Sequence, residues 1–366
     1  MNVILTGVTG TLGSQVLSEL LRDKSIEKIY LLIRDKKTII AKKRFQKIIE
    51  SDIFDQGKIA ASEIDKKVTV FNSKEFFTPS AYLTNKMNTY FIHSAGFVNL
   101  STDISQRDLI FQENLGFAKQ VFEAFSPYIY KFTYISTAFA IGDIGNIIDN
   151  NYHTEISPKY RNAYEESKHA AEKYLLKESR KKNIEIQILR PSVIGGNITS
   201  NPKNFISKFM VYYLVGKFFH KNPLLENNKM RISVNYKTGL NIVPVDYVAK
   251  VISKVFTKSI QQLNIVNRKC TNLVTGLSRI IETVGYTNFS FLDTVLTKDI
   301  LNKNKLEHFY YSSIGDHLSP YTLSLPHEYD TKLLEEICPM SYYNLEDYLE
   351  ETIKYAVQNN FRNEKW

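Results

Sequence analysis

Three glycines near the N-terminus constrain the fold of this chain more than any other feature of its sequence. Gly7, Gly10 and Gly13 follow the apolar run Asn2 to Leu5 and precede an amphipathic stretch at 12–23. The pattern predicts a strand, a tight turn and a helix whose free N–H groups and positive dipole end favour an anion. Glycine lets the backbone turn and approach a pyrophosphate closely. We expect a dinucleotide's phosphates to lie against this loop, whose residues are Thr6, Gly7, Thr9, Gly10, Thr11, Leu12 and Gly13.

Residues 1 to about 195 alternate short apolar runs with longer amphipathic stretches, a pattern typical of a parallel sheet with helices on both faces. We therefore predict an α/β fold, a Rossmann-type doubly wound parallel sheet. The predicted helices lie near 12–23, 37–50, 105–125 and 160–182. The predicted strands are Asn2–Leu5, Lys28–Ile33, Val68–Phe71, Thr89–His93, Lys131–Ile135 and Glu185–Leu189, with Leu263–Val266 as a returning strand.

The regular alternation ends after Gly195 and Gly196. We predict a nucleotide-binding domain at 1–196, completed by about 235–270, and a smaller, mainly helical C-terminal substrate lobe at 197–234 and 271–366. Within the lobe, the aromatic-rich segment 205–219 fits an acyl channel and a plain buried helix equally well. The run 242–248 predicts a short strand that enters a helix capped by Asp246.

Composition narrows the class of protein. The chain has 366 residues and only two cysteines, Cys270 and Cys338, too few for a disulfide framework or a metal cage, and no metal is predicted. The absence of long uncharged apolar runs, and a start that is already a strand, predict a cytoplasmic protein without an integral membrane segment. The formal charge of +9 comes from scattered lysines, so we expect a phosphate-bearing cofactor or an acidic partner and no nucleic acid.

The second predicted strand ends where the adenosine ribose of a bound dinucleotide lies. An acidic residue at this point binds the ribose 2′-hydroxyl of NAD, whereas this chain has Arg34. A guanidinium stacks on adenine and pairs with a 2′-phosphate, so NADP(H) is favoured over NAD(H). Lys36, Lys37 and Arg44 are further candidate cations, and Asp35 opposes them.

Small residues follow the fourth predicted strand, at Ser94, Ala95 and Gly96, where the backbone passes beside the cofactor. His93, at the end of that strand, is interpreted as a packed, hydrogen-bonded residue rather than a general base. For Asn114 the sequence leaves two interpretations open, because its amide could orient the backbone of the site or cap its own helix.

The fifth predicted strand delivers Ser136 and Thr137 to the carboxyl edge of the sheet, where open α/β sheets place their ligands. We expect Thr137 to hydrogen-bond a reacting carbonyl oxygen and Ser136 to line the wall beneath a nicotinamide. Tyr164 and Lys168 are four residues apart and share a helix face. The Lys168 ammonium is expected to lower the pKa of the phenol toward working pH, so that Tyr164 exchanges a proton with the reacting oxygen.

Lys168 is also expected to hold the nicotinamide ribose. The sixth predicted strand ends at Pro191, Ser192 and Val193, and Pro191 is suited to pressing on the nicotinamide face. A hydride carried by a nicotinamide is useful only beside a group that protonates the oxygen being reduced. The glycine loop and the Tyr164–Lys168 pair therefore predict a nicotinamide-dependent oxidoreductase.

The chain resembles an extended short-chain dehydrogenase/reductase, and within that superfamily the thioester-reductase and fatty-acyl-CoA-reductase (male-sterility) group. The likeness covers residues 1–257 and is faint beyond about 260. It is carried by Thr6 to Gly13, Leu32-Ile33-Arg34, Ile92 to Gly96, Ile135 to Phe139, Asn162 to Tyr164, Ser167-Lys168, Arg190 to Gly195 and Val243 to Val248.

This resemblance implies that Thr137, Tyr164 and Lys168 form the catalytic set, and that NADPH reduces an acyl thioester to an aldehyde, with the alcohol as a possible further product. The acyl group would arrive on coenzyme A or an acyl carrier protein. One alternative is a nucleotide-sugar epimerase or reductase, or another hydroxyl oxidoreductase on the same scaffold. A second alternative is an NADP-binding protein without turnover.

Overall fold

The computed structural model describes residues 1–36, 38–54, 59–84, 86–151, 159–223, 229–293 and 302–366. Lys37, one of the candidate cations, lies outside the described residues. The strands are β1 (Asn2–Thr6), β2 (Lys28–Leu32), β3 (Val68–Phe71), β4 (Thr89–His93), β5 (Lys131–Ile135), β6 (Asn146–Ile148), β7 (Glu185–Pro191), β8 (Val193–Gly195), β9 (Met230–Ser233), β10 (Gly239–Leu240), β11 (Ile242–Pro244), β12 (Gln262–Ile265), β13 (Thr271–Asn272), β14 (Phe289–Leu292) and β15 (His327–Tyr329).

Fourteen α-helices occur among the described residues, numbered in chain order. They are α1 (Thr11–Arg22), α2 (Ala41–Ile49), α3 (Ala61–Lys67), α4 (Ser73–Phe76), α5 (Arg107–Phe111), α6 (Phe117–Phe125), α7 (Ala163–Lys182), α8 (Tyr212–Lys221), α9 (Val245–Val255), α10 (Leu273–Thr283), α11 (Lys305–Tyr311), α12 (Ile314–Thr322), α13 (Lys332–Ile337) and α14 (Leu345–Gln358). A π-helical segment, Gln112–Gly116, joins α5 to α6.

Seven strands form the central sheet in the order β12-β7-β5-β4-β1-β2-β3. Every pairing in this sheet is parallel. The chain therefore builds outward from β1 in one direction and then, from β4 onward, in the other, which confirms the doubly wound α/β prediction. Because the direction reverses between β1 and β4, their carboxyl ends border a crevice suited to a ligand.

Apolar side chains cover both faces of this sheet. One buried cluster joins α1 and α9 to one face, and a second joins α6 and α7 to the other. Since parallel strands are buried on both faces, their runs are continuously apolar instead of alternating, and β5 is buried at all five positions.

The catalytic helix of the sequence prediction, α7, has well-defined ends. Asn162 caps it by accepting a hydrogen bond from the N–H of Glu165 at 3.1 Å. At the other end Asn183 adopts the left-handed conformation, with φ of 51°. Tyr164 thus lies in the first turn of α7 and Lys168 one turn further along.

A third apolar cluster lies apart from the sheet and gathers residues of α8, α10, α11 and α14. Two short pairings accompany it, β9 with β14 in parallel and β10 with β13 antiparallel. This is the smaller, mainly helical lobe expected from the sequence. The proposed division into residue ranges stays a prediction.

Asp246 does not have the capping role that the sequence suggested. The residue before α9 is Pro244, and no side chain caps that helix. Asp246 lies in the first turn instead, where its carboxylate accepts hydrogen bonds from the N–H groups of Thr199 and Ser200, both at 2.8 Å. The carboxylate therefore secures the loop that follows β8, a contact between segments nearly fifty residues apart for which the local sequence holds no signal.

The glycine loop has the close contacts that its spacing predicts. Gly7 has a φ of +82°, and a Cβ there would lie 2.5 Å from the nitrogen of Ala95. A Cβ on Gly13 would lie 2.2 Å from the carbonyl oxygen of Gly7. Both contacts are with backbone, which has little freedom to move away, so the turn and the start of α1 accept no larger residue.

We expect Gly13→Ala to lower the free energy of unfolding by roughly 2–3 kcal/mol, because the added methyl group forces the loop and α1 apart. Gly116→Ala is the matched control, since a Cβ there would meet nothing closer than 3.8 Å and alanine favours the helix by up to about 1 kcal/mol. Chemical denaturation of both variants measures the difference. Equal stabilities would contradict the close packing at Gly13.

Candidate active site

A cavity of about 510 Å³ lies along the carboxyl edge of the central sheet. Its walls include residues that follow β1, β4, β5 and β7, together with the first turns of α1 and α7. The predicted site residues that line it are Gly10, Thr11, Leu12, Gly13, Ser94, Gly96, Ser136, Thr137, Tyr164, Lys168, Pro191, Ser192 and Val193. The structure therefore brings together, in one cavity, the proposed phosphate loop and the proposed catalytic set.

Seven predicted cofactor contacts lie outside this lining. They are Thr6, Gly7, Thr9, Arg34, Arg44, Ala95 and Asn114. Thr6 is buried at the end of β1, where its hydroxyl lies 2.8 Å from Nδ1 of His93. Burial, assisted by the charge of Lys168, lowers the pKa of His93 to about 3, so the ring is neutral. His93 is thus a hydrogen-bonded residue within the sheet, as the sequence suggested.

Asn114 orients the backbone of the site and does not cap a helix. Its Oδ1 accepts from the N–H of Phe97 at 2.8 Å, and its Nδ2 donates to Oγ of Ser167 at 3.0 Å. The amide joins the loop after β4 to α7 in the turn that carries Lys168. The π-helical segment places Asn114 in this inward position, because its extra residue rotates the helix face.

The ammonium of Lys168 is buried against the end of β5. Its Nζ donates to the carbonyl oxygen of Ile135 at 2.6 Å and lies 4.3 Å from the centre of the Tyr134 ring. Burial lowers the pKa of Lys168 to about 7, although the carboxylate of Glu172 acts in the opposite direction. Lys168 is therefore fixed in orientation, and its charge is sensitive to what occupies the cavity.

The expected lowering of the Tyr164 pKa is wrong for this structure. Burial raises the pKa of the phenol above its ordinary value, and the carboxylate of Glu165 raises it further. The cost of placing a charged phenolate in a buried position therefore sets the direction of the shift. Tyr164 is consequently neutral and holds its proton.

A buried ion pair supports the helix behind these residues. Glu172 lies one turn after Lys168, and its carboxylate accepts from Nη2 of Arg190 at 2.7 Å and from Nε at 3.0 Å. Neither side chain is exposed. Burial alone raises the pKa of Glu172, but the guanidinium outweighs it and holds the pKa below its ordinary value. The pair joins α7 to β7.

A second buried network joins the start of α7 to the helical lobe. Arg161 pairs with Asp143 at 3.0 Å and with Glu165 at 3.1 Å. Its guanidinium also lies 5.2 Å from the ring centre of Tyr321, which lines the cavity from α12. Asn162, the cap of α7, donates to the hydroxyl of Tyr321 at 2.8 Å. The first turn of α7 is thus fixed to the loop between β5 and β6 and to the lobe.

The lobe supplies the cavity with an apolar wall. The segment 205–219 lines this wall in part and also packs in the core of the lobe, and its use as an acyl channel stays a prediction. The lobe residues of this wall are Ile206, Met210, Val211, Tyr212, Val215, Leu273, Leu277, Tyr310 and Leu318, and residues outside the lobe complete it: Phe97, Val98, Leu100 and Leu240.

The two predicted arginines differ in their surroundings. Arg34 is exposed and lies 3.4 Å from Glu113. Arg44 is buried, and each of its three nitrogens donates to a main-chain carbonyl, that of Arg34 or that of Trp366. Arg44 therefore fixes the backbone beside Arg34, and its contact with a phosphate stays a prediction.

Sequence reasoning missed one charged residue of this cavity. Lys208 lines it together with the glycine loop, although it comes from a segment about two hundred residues away. Its surroundings in the sequence, Ile206 to Tyr213, are mostly apolar and indicate a core segment. No local pattern distinguishes this lysine, because its position depends on how the lobe returns to the sheet.

Three observations indicate that a dinucleotide fits this cavity. No side chain caps α1 and no acidic residue lies in its first turn, so its N–H groups and positive dipole end are available to an anion. Gly7 and Gly13 have no space for a side chain, because a Cβ there would lie 2.5 Å and 2.2 Å from backbone atoms. The hydroxyl of Ser192 is buried at the cavity wall and has no hydrogen-bond partner among the described residues.

A model of the male sterility protein family, an NAD-binding domain, matches residues 5–252 of this chain. The chain belongs to this family. The match confirms the recognition of an extended short-chain dehydrogenase/reductase of the male-sterility group, and with it an NAD(P)-binding oxidoreductase fold.

Curated relatives agree with this assignment. Fatty acyl-CoA reductase 1 of mouse is 23% identical over 287 residues, covering 68% of this chain and 52% of that protein. The rat protein is 23% identical over 332 residues, covering 79% and 61%. The chain thus spans about half to three fifths of the length of these relatives. A polyketide synthase-nonribosomal peptide synthetase of Aspergillus clavatus is 28% identical over 199 residues, 53% of this chain and 4% of that protein.

Solved structures show the same fold. The terminal R domain from the myxalamid PKS-NRPS pathway has a TM-score of 0.72 at 18% identity, covering 99% of this chain and 91% of that one. UDP-glucuronic acid 4-epimerase from Bacillus cereus has a TM-score of 0.64 at 16% identity, covering 98% and 97%. Among the described residues, no helix is both long enough and apolar enough to span a bilayer.

We expect Glu172→Leu to lower the free energy of unfolding by about 3–5 kcal/mol, because it leaves the Arg190 guanidinium buried without its counter-charge. The double variant Glu172→Leu/Arg190→Met removes both charges and should recover part of that loss, since it also removes the hydrogen bonds from Arg190 to Asn150 and Gln262. Urea denaturation of the single and double variants measures both values. A single variant as stable as the unmodified chain would contradict the importance of this ion pair.

The depressed pKa of Lys168 predicts a pH dependence of stability. The folded chain releases this proton near pH 7, whereas the unfolded chain holds it to about 10.5. Between these values the unfolded state binds more protons, so the contribution of Lys168 to stability rises with pH by up to about 1.4 kcal/mol per unit. Below pH 7 Lys168 is charged in both the folded and the unfolded chain, so the folded state bears the whole free-energy cost of burying that charge.

Lys168→Met has no such proton. The free energy of unfolding of the unmodified chain minus that of this variant should therefore increase as the pH rises above 7. Denaturant titrations between pH 6 and about 9.5 measure this difference. A difference that stays constant over the range would show that Lys168 keeps its ordinary pKa.

Proposed function

We propose that this chain uses NADPH to reduce an acyl thioester to an aldehyde, with further reduction to the alcohol as a second step. The observation that carries the proposal is the continuity of one cavity. It begins at the phosphate-binding end of α1, passes Thr137, Tyr164 and Lys168, and ends at the apolar wall of the lobe. The end of α1 suits the phosphates of a cofactor, the three polar side chains suit a proton transfer, and the apolar wall suits an acyl chain.

The residues that would hold the cofactor are those along the carboxyl edge of the sheet. The glycine loop would bind the pyrophosphate, Ser94 to Gly96 the adenosine side, and Pro191 to Val193 the nicotinamide. Arg34, exposed at the end of β2, would pair with the 2′-phosphate, which favours NADPH over NADH. Bound NADPH supplies a hydride to the carbonyl carbon of the thioester.

Tyr164 and Thr137 are placed to act on the carbonyl oxygen. Both line the cavity, and Tyr164 is neutral because burial raises its pKa. A neutral phenol donates a hydrogen bond to the oxygen as negative charge develops there and then transfers its proton to it. Lys168 is fixed by Ile135 one turn further along α7, where its charge stabilises the phenolate that remains.

The protonated product of this step is a hemithioacetal. It collapses to the aldehyde and the free thiol of coenzyme A or of a carrier protein. The apolar wall beyond the catalytic residues would hold the acyl chain away from water. The formal charge of +9 suits a donor that is itself acidic, as coenzyme A and many carrier proteins are.

The same apolar wall argues against the nucleotide-sugar alternative. A sugar requires several hydrogen-bond donors and acceptors around its ring, because buried hydroxyl groups without partners are costly. The lobe side of this cavity presents mostly leucine, isoleucine, valine and tyrosine side chains. The alternative without turnover is disfavoured by the presence of Thr137, Tyr164 and Lys168 in a single cavity.

The test is loss of NADPH absorbance with a panel of acyl-CoA thioesters of different chain lengths, an acyl-carrier thioester and several nucleotide sugars. We expect turnover with thioesters. Tyr164→Phe should lower kcat by about 10²–10⁴-fold, because the carbonyl oxygen loses its proton donor, while the Kd for NADPH stays unchanged.

Tyr342→Phe is the matched control, since this tyrosine is 93% exposed and lies outside the cavity lining. It should behave as the unmodified chain. Turnover with nucleotide sugars alone would replace the thioester reductase by the epimerase-like alternative. Full activity in Tyr164→Phe would overturn the assignment of the acid.

A further inference from the structure

A segment of the lobe returns to the glycine loop and lies beside the start of α1. We call residues 205–211 the strap. The hydroxyl of Ser207 in the strap lies 3.1 Å from the hydroxyl of Thr11, the first residue of α1. Thr11 and Lys208 both line the cavity. The strap thus places a lysine beside the helix end where a dinucleotide's phosphates would bind.

Hydrogen bonds to Asn363 and Glu364 hold the strap in place. The N–H of Glu364 donates to the carbonyl of Ser207 at 2.8 Å, and the N–H of Phe209 donates to Oδ1 of Asn363 at 2.9 Å. These two bonds flank Lys208. The carbonyl of Trp366 in turn accepts from Arg44. The position of Lys208 is therefore set by backbone contacts on both sides and does not depend on its own side chain.

The charge of Lys208 has unfavourable surroundings. The side chain is half-buried, and the charges that act on it most strongly are the cations Lys36 and Arg44. Burial lowers the pKa of Lys208, and the two cations lower it further. Among the described residues, no acidic side chain forms an ion pair with it. Because Lys208 lines the cavity, an anion that enters there would stabilise its charge.

We propose that Lys208, which belongs to the lobe, binds a phosphate group of the dinucleotide from the side of the site that lies opposite the sheet. This inference rests on the proposed use of NADPH. Both the pyrophosphate and the 2′-phosphate offer the same chemistry, a phosphate oxygen that accepts from the ammonium. With Lys208 in contact, the cofactor joins the strap to the glycine loop, so that cofactor binding also fixes one wall of the acyl cavity.

The experiment measures the Kd of NADPH and of NADH by calorimetry on the full chain, with no acyl substrate present. We expect Lys208→Met to raise the Kd for NADPH at least about tenfold, the loss of one charge-assisted hydrogen bond. Lys208→Arg retains the charge and should stay close to the unmodified chain. Lys203→Met is the matched control, because Lys203 is exposed and absent from the cavity lining.

The two cofactors distinguish the two phosphates. An equal loss for NADPH and NADH assigns Lys208 to the pyrophosphate, and a loss confined to NADPH assigns it to the 2′-phosphate. Either result supports the proposal. Kd values within about twofold of the unmodified chain for both cofactors would overturn it, since even a weak charge contact exceeds that change.

The melting temperature of the ligand-free chain supplies a second readout. Lys208→Met removes a cation from beside other cations, so its Tm should be equal or higher, whereas a structural role for Lys208 would lower it. An unmodified chain that fails to bind NADPH would overturn the proposed cofactor itself. Tight NADPH binding without turnover of thioesters would overturn the reductase activity alone and leave the role of Lys208 standing.

Discussion

The hydrogen bond from Lys168 to the carbonyl of Ile135, 2.6 Å long, fixes the relation between helix and sheet on which the site depends. Thr137 follows Ile135 by two residues, and Tyr164 precedes Lys168 by one helical turn. One contact between α7 and the end of β5 therefore ties the turn that carries Tyr164 to the strand end that precedes Thr137, the two groups that we propose to act on the substrate oxygen. Burial at this position disfavours the charged ammonium, so the pKa of Lys168 falls to about 7.

Two further networks keep α7 from moving relative to that contact. The Glu172–Arg190 pair holds the middle of the helix against β7, and Arg161 holds its first turn against the loop that contains Asp143. The second network also includes Tyr321 from the lobe. The wall that would accept an acyl chain and the helix turn of the residue that would donate the proton are thus joined by one network of contacts, an arrangement suited to catalysis by positioning.

The sequence predicted the sheet well because its strands are short buried runs flanked by polar turns. Val68–Phe71, Thr89–His93 and Lys131–Ile135 were predicted to the residue. The predicted site residues that line the cavity could be chosen for the same reason, since each follows a strand or lies in the first turns of a helix, where open α/β sheets place their ligands.

The features that the sequence did not predict depend on distant segments. Asp246 resembles a helix cap, yet its partners lie in the loop after β8. Lys208 lies among apolar residues, and only the return of the lobe brings it to the glycine loop. The predicted direction of the Tyr164 pKa shift was wrong because burial, which raises this pKa, depends on every segment that packs around the phenol. The spacing of Tyr164 and Lys168 in the sequence indicates only that the two side chains are neighbours on one helix.

The π-helical segment between α5 and α6 inserts one additional residue into what would otherwise be one continuous helix. An α-helix couples the direction of every side chain to its neighbours at 100° per residue, so a shift at one end would propagate to the other. One additional residue offsets the phase of α6 from that of α5. Asn114 can therefore face the loop after β4 and Ser167 of α7 while the apolar side chains of α6 pack against β4 and β5.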